Sequence, residues 1–142
     1  MADQQFSNHA RYHPLYHFIA SPLILAGLIW TITRYFNSSS EEGTAALIDA
    51  FAFLCLFLLG VMVRTYALKV QDRAIRAEEA LRHYILTGKP MDKALKLGQI
   101  IALRFASDEE LPGLAARAVS EGLTPKQIKQ SITHWRADHR RV

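Results

Sequence analysis

The chain has 142 residues, 50% of them hydrophobic and 21% charged, with 17 Lys and Arg against 13 Asp and Glu. That length fits one domain, or one small domain with a membrane anchor. The apolar content excludes intrinsic disorder, the single cysteine Cys55 excludes a disulfide scaffold, and a mean hydropathy of +0.03 argues against a plain soluble globule.

The N-terminal segment carries His9, His13 and His17, spaced by four. On a continuous helix these imidazoles would form one stripe able to bind Zn²⁺ or another transition metal. Pro14 disfavours helical geometry at His13, which reads better as the N-cap region of the next helix. Only His17 is then helical, and the competing reading is a set of interfacial histidines near lipid headgroups. The sequence therefore assigns no metal and no cofactor. Haem has no support, since there is no Cys-x-x-Cys-His and no histidine in the second apolar run.

The first apolar run extends from Leu15 to Phe36 and, at ~1.5 Å per residue, spans roughly 33 Å. Asp3 beside Arg11 argues against a signal peptide. Pro22 should kink this helix or mark its first turns. The second run, Ala45 to Val63, spans about 28 Å. Tyr12, Tyr16, Trp30, Tyr35 and Tyr66 lie near the run ends, where interfacial aromatics belong. The pair predicts a two-helix transmembrane hairpin, spans about 15–36 and 45–63, with 37–44 as connector. The alternative, a buried hairpin in a soluble protein, needs a large partner to cover it.

The connector has no Lys or Arg, whereas Arg64, Lys69, Arg73 and Arg76 follow the second span. The positive-inside rule then puts both termini in the cytoplasm, with Arg34 a weak opposing signal that can snorkel. Residues 64–142 carry 15 of the 17 Lys and Arg, and the four basic residues nearest the bilayer suit anionic headgroups. Asp49 falls about one turn inside the second span. An intramembrane carboxylate is a candidate for ion handling or an inter-subunit contact, against the plainer reading of a polar helix start. Cys55, among apolar neighbours, reads as a small apolar residue.

Helical periodicity runs on past the second span. Leu56, Gly60, Val63, Ala67, Val70, Ala74, Ala77, Leu81 and Tyr84 repeat every three then four residues. One helix of roughly 40 residues should end near Thr87, with Gly88 as its cap and Pro90 beyond. Gly60, Val63, Ala67, Val70, Ala74, Ala77, Leu81 and Tyr84 make a seam that admits close approach of a second helix. It serves either a homo-oligomeric stalk or packing against this chain's own later helices. On other faces, Asp72–Arg76 and Glu78–Arg82 are favourable i,i+4 pairs.

Three shorter helices are predicted in a cytoplasmic helical domain, 64–142. The first covers Met91 to Phe105. Ser107-Asp-Glu-Glu110 reads as a capping box opening the second, with Pro112 in its first turn and Gly122 at its end. Thr124-Pro-Lys-Gln127 opens the third, whose buried stripe is Ile128, Ile132 and Trp135. No strand-period alternation occurs, so the fold class is an all-α membrane protein.

Asn8 to Phe18, Val70 to Glu79, Ile101-Ala-Leu-Arg-Phe-Ala-Ser-Asp-Glu-Glu-Leu-Pro112 and Ile128 to Val142 resemble a bacterial family of small two-span inner-membrane proteins of unknown function. Some members are labelled permease-like, although two spans are too few to enclose a transport path in one subunit. The resemblance implies the inner membrane and carries over no functional residue.

No phosphate loop, Ser-His-Asp order or paired-cysteine site appears, so no enzyme is expected. The basic His134-to-Arg141 stretch lacks any recognised nucleic-acid reader, and no nucleic-acid partner is assigned. The expectation is a non-enzymatic, self-associating membrane protein, a scaffold or an accessory subunit of a larger assembly. The alternative is an oligomeric channel with Asp49 near its outer mouth. A metal-responsive sensor built on the histidines is a third.

Overall fold

A π-helical turn over Leu15–Ala20 runs directly into α1, Ser21–Asn37, with the Ser21 N–H donating to the Tyr16 carbonyl five residues back. Pro22 sits in the first turn of α1. It has no N–H to return, and the wider turn ahead of it relieves the clash its ring makes with an α-helical carbonyl. The computed structural model describes Phe6 and residues 12–138, so His9 and Arg11 lie outside the described residues. Every described helix is accounted for by α1, α2 (Ser40–Thr87), α3 (Leu97–Leu103), α4 (Leu111–Ser120) and α5 (Pro125–Ser131), together with the π turn. No strand forms among the described residues, where one isolated antiparallel bridge joins Ala106 and Trp135.

The chain divides into one unit from Tyr12 to Leu68 and another that begins at Lys69. The first is an antiparallel hairpin. Tyr35 lies against Gly43, Gly27 against Phe53 and Tyr16 against Gly60, so positions rise along α2 as they fall along α1. Thr31, Ala46 and Ala50 are buried between these contacts. α2 begins at Ser40, five residues before the apolar run, which makes most of the expected 37–44 connector helical and leaves Ser38 and Ser39 as the link. Glu41 and Glu42 occupy its first turn, where negative charge suits the helix dipole. Both long helices, Leu15–Asn37 and Ser40–Thr87, are long and apolar enough to cross a membrane. Within the most apolar window of each, 6% is buried, which separates them from core helices of a soluble body.

α2 holds 48 residues without interruption. It stops at Gly88, whose φ of +69° is the left-handed turn glycine adopts freely and whose N–H donates to the Tyr84 carbonyl at 2.8 Å. The second unit then builds its own core from Leu95, Ile100, Leu103, Phe105, Leu111, Leu114, Ala118, Ile128 and Ile132.

Three local predictions change here. The pattern predicts helix from Met91, but α3 starts at Leu97. The Asp92 side chain accepts the Ala94 N–H at 2.8 Å and holds a turn that competes with helix. Ser107 makes its half of the capping box, accepting the Glu110 N–H at 3.3 Å. The Glu110 carboxylate instead accepts the N–H groups of Thr133 and His134. α5 ends at Ser131, so Trp135 belongs to an extended segment and stacks its ring 4.9 Å from Phe105. The Thr124–Gln127 box forms in both directions, and Gly122, φ +63°, ends α4 as read.

Candidate functional site

In the hairpin, the threonine hydroxyls are satisfied within their own helices. Thr31 donates to Gly27 and Leu28, Thr33 to Ile29 and Trp30, Thr44 to Ser40 and Thr65 to Val61. Threonines therefore sit on apolar helices without requiring an external partner. Polar contacts also cross between the helices. The Tyr16 hydroxyl donates to the Gly60 carbonyl at 3.2 Å. Arg34 Nη1 lies 3.7 Å from Asp49 Oδ2, both side chains about half exposed. Sequence reasoning treats Arg34 and Asp49 separately. Their signal is positional, since a short link folds the two charges to one end of the hairpin. Asp49 lies more than two turns into α2, because the helix starts ahead of the apolar run.

Of the three candidate histidines, His13 and His17 are described, and each is engaged locally. His13 Nδ1 lies 3.4 Å from the Tyr16 N–H, and His17 Nδ1 lies 3.1 Å from the His13 carbonyl oxygen. Among the described residues, no three His, Cys, Asp or Glu side chains gather to hold a metal. Cys55 is a partly buried free thiol.

The seam residues fare differently along α2. Gly60 is used inside the hairpin by Tyr16. Val63, Ala67, Val70, Ala74, Ala77, Leu81 and Tyr84 are exposed, as are Lys69, Arg73 and Arg76, while Arg64 is partly covered. Beyond Lys69 the buried stripe of α2 is Ile75 and Glu79, with Arg82 nearly so. These positions, spaced four and three, turn well away from the seam. Within the second unit the later helices thus leave Val70, Ala74, Ala77, Leu81 and Tyr84 uncovered.

Arg82 joins three parts of the second unit. Its Nε donates to Asp108 at 2.7 Å, Nη1 to Glu79 at 2.9 Å and Nη2 to the Ala106 carbonyl at 2.8 Å. The expected Glu78–Arg82 pair is therefore not made, because the nearly buried guanidinium is taken by buried Glu79, the Ala106 carbonyl and the exposed Asp108. Asp72–Arg76 likewise forms no ion pair among the described residues, its two side chains lying free of each other on a solvated helix.

The same segment, Arg104 to Pro112, ties down the C-terminal stretch. Arg104 Nε lies 3.3 Å from Asp138, the Phe105 carbonyl accepts the Arg136 N–H at 2.8 Å, and Glu110 holds residues 133 and 134. Buried Gln99 adds a staple missed from sequence. It accepts the Lys96 N–H and donates to the Leu123 and Ala118 carbonyls, satisfying groups at the ends of α3 and α4. Glu109 titrates below the ordinary carboxylate value, held there by its own backbone N–H and then by Ser107. These groups join elements of the second unit.

The family model that matches this chain is that of a family of unknown function, DUF6526, and it covers residues 1–142. No curated protein and no solved structure matches.

Proposed function

We propose, for a chain that belongs to the DUF6526 family of unknown function, a non-enzymatic two-span membrane protein that self-associates as a scaffold or accessory subunit. On this reading it resides in a bacterial inner membrane with both termini in the cytoplasm. The hairpin 15–63 lies in lipid, and α2 carries its periodicity on into the cytoplasmic domain. Arg64 and Lys69 fall at headgroup level, with Arg73 and Arg76 within electrostatic reach on the next turns.

One observation carries the reading. Large apolar residues of α2 stay uncovered on both sides of the first basic residue, Val63 at 67% and Val70 at 67% exposure. Lipid accounts for the first, but a residue such as Val70, past Arg64, calls for a protein partner. Asp49 as the rim of a pore is the weaker proposal, because Arg34 stands beside that carboxylate.

Two measurements test this. Alkaline carbonate should leave the protein in the membrane pellet. Light scattering in mild detergent should give a mass above that of one chain. Extraction by carbonate, or a strict monomer that copurifies with no partner, overturns the proposal.

A further inference from the structure

We infer that the occupant of the uncovered face of α2 is a second copy of this chain, packed parallel, with Arg73 of each copy paired to Glu78 of the other. The inference deepens the self-association reading and rests on it.

The face concerned belongs to the second unit and is apolar by large residues. Val70 is 67% exposed, Leu81 60%, Tyr84 54% and Ile85 72%, with exposed Ala74 and Ala77 between them. In heptad terms Ala74 and Leu81 are a positions, and Val70, Ala77 and Tyr84 are d positions. The residue before each a position is g and the residue after each d position is e. Arg73 is therefore g, Glu78 is e, and the flanking g–e′ combination is Ala80 with Ile85.

In a parallel pair, a g residue meets the e′ residue five positions further along the partner. Arg73 then faces Glu78′, and by symmetry Glu78 faces Arg73′. Both flanking sites are complementary, one pair by charge and one by apolar contact. Arg73 and Glu78 are exposed and form no ion pair among the described residues. Glu78 is left available because Arg82, its i+4 neighbour, is engaged by Glu79 and Asp108. Two copies inserted in one membrane with one topology also present α2 in the same direction, which selects the parallel arrangement. Such g–e′ pairs fix orientation and partner choice more than raw affinity.

The test is a charge swap in the full chain in mild detergent, read as a dissociation constant by fluorescence energy transfer between labelled copies. Arg73→Glu and Glu78→Arg should each weaken association roughly tenfold, and the double variant should return to within about threefold of the original. Helicity by circular dichroism checks that each variant folds. A second readout uses Ala77→Cys on a Cys55→Ser background, which should form a symmetric disulfide, while Asp72→Cys should not. If the original chain associates but the single variants match it, or the double variant adds their losses, the pairing is wrong and self-association stands. If the original chain is a monomer, both readings fall.

Discussion

The ring of Phe53 packs against the backbone of Gly27, so close that a Cβ built on this glycine would run into Phe53 Cε1. The hairpin can approach this closely only because position 27 has no side chain. Gly27→Ala should cost about 1–3 kcal/mol of hairpin stability, since the ring must swing out of its packing. Thermal melting in detergent measures it, and Phe53→Leu in the same chain should recover most of the loss. Unchanged melting of Gly27→Ala would show that the ring moves freely.

Removing Arg82 leaves buried Glu79 without its partner and Asp108 without its clamp. Arg82→Met should destabilise the second unit by roughly 3 kcal/mol, the usual scale for stranding one member of a buried pair. Arg82→Lys should retain only part, because a single ammonium does not reach three acceptors in a planar fork. Glu79→Gln combined with Arg82→Met should soften the loss. Arg76→Gln, exposed and unpaired, should stay within about 0.5 kcal/mol. Amide exchange across α3–α5 reads all four.

Acid should loosen the second unit in a defined direction. Glu121 titrates below the ordinary 4.5, held there first by the hydrogen bond from Arg117. Glu109 is lowered also, chiefly by its own backbone N–H. Both carboxyls are more acidic folded than unfolded. Their contribution is complete above 4.5 and is lost as pH falls through the folded values. Carboxyl-carbon NMR should follow this. Arg117→Gln should bring Glu121 back towards 4.5, and Ser107→Ala should raise Glu109 only in part.

Ala74 and Ala77 are exposed within one chain, so Ala74→Glu or Ala77→Glu should leave melting of the isolated chain nearly unchanged. Each should nevertheless weaken self-association by about tenfold or more, by placing a carboxylate in the contact. An unaltered mass distribution for both would move the contact elsewhere.

Signals confined to a few adjacent residues were readable in the sequence: the left-handed stop at Gly88 and the reciprocal Thr124–Gln127 cap. Partners distant in sequence were not. Glu110 has the spacing of a capping residue, yet two N–H groups arriving from residues 133 and 134 outbid the local one. Trp135 continues a helical spacing from Ile128 and Ile132, yet its ring is drawn to Phe105 in an extended segment. Arg82 has Glu78 at the preferred distance, and burial beside Glu79 and Asp108 overrides it. Periodicity registers which face is apolar but not which element comes to cover it.

The Arg34–Asp49 contact bears on how such a hairpin is made. Either helix threaded alone into hydrocarbon would carry an uncompensated ion across or into the bilayer, at a cost of a few kcal/mol. Folded together before entry, the two charges cancel at one end. On the membrane reading proposed above, the contact favours entry of the closed pair of helices over entry of either helix alone.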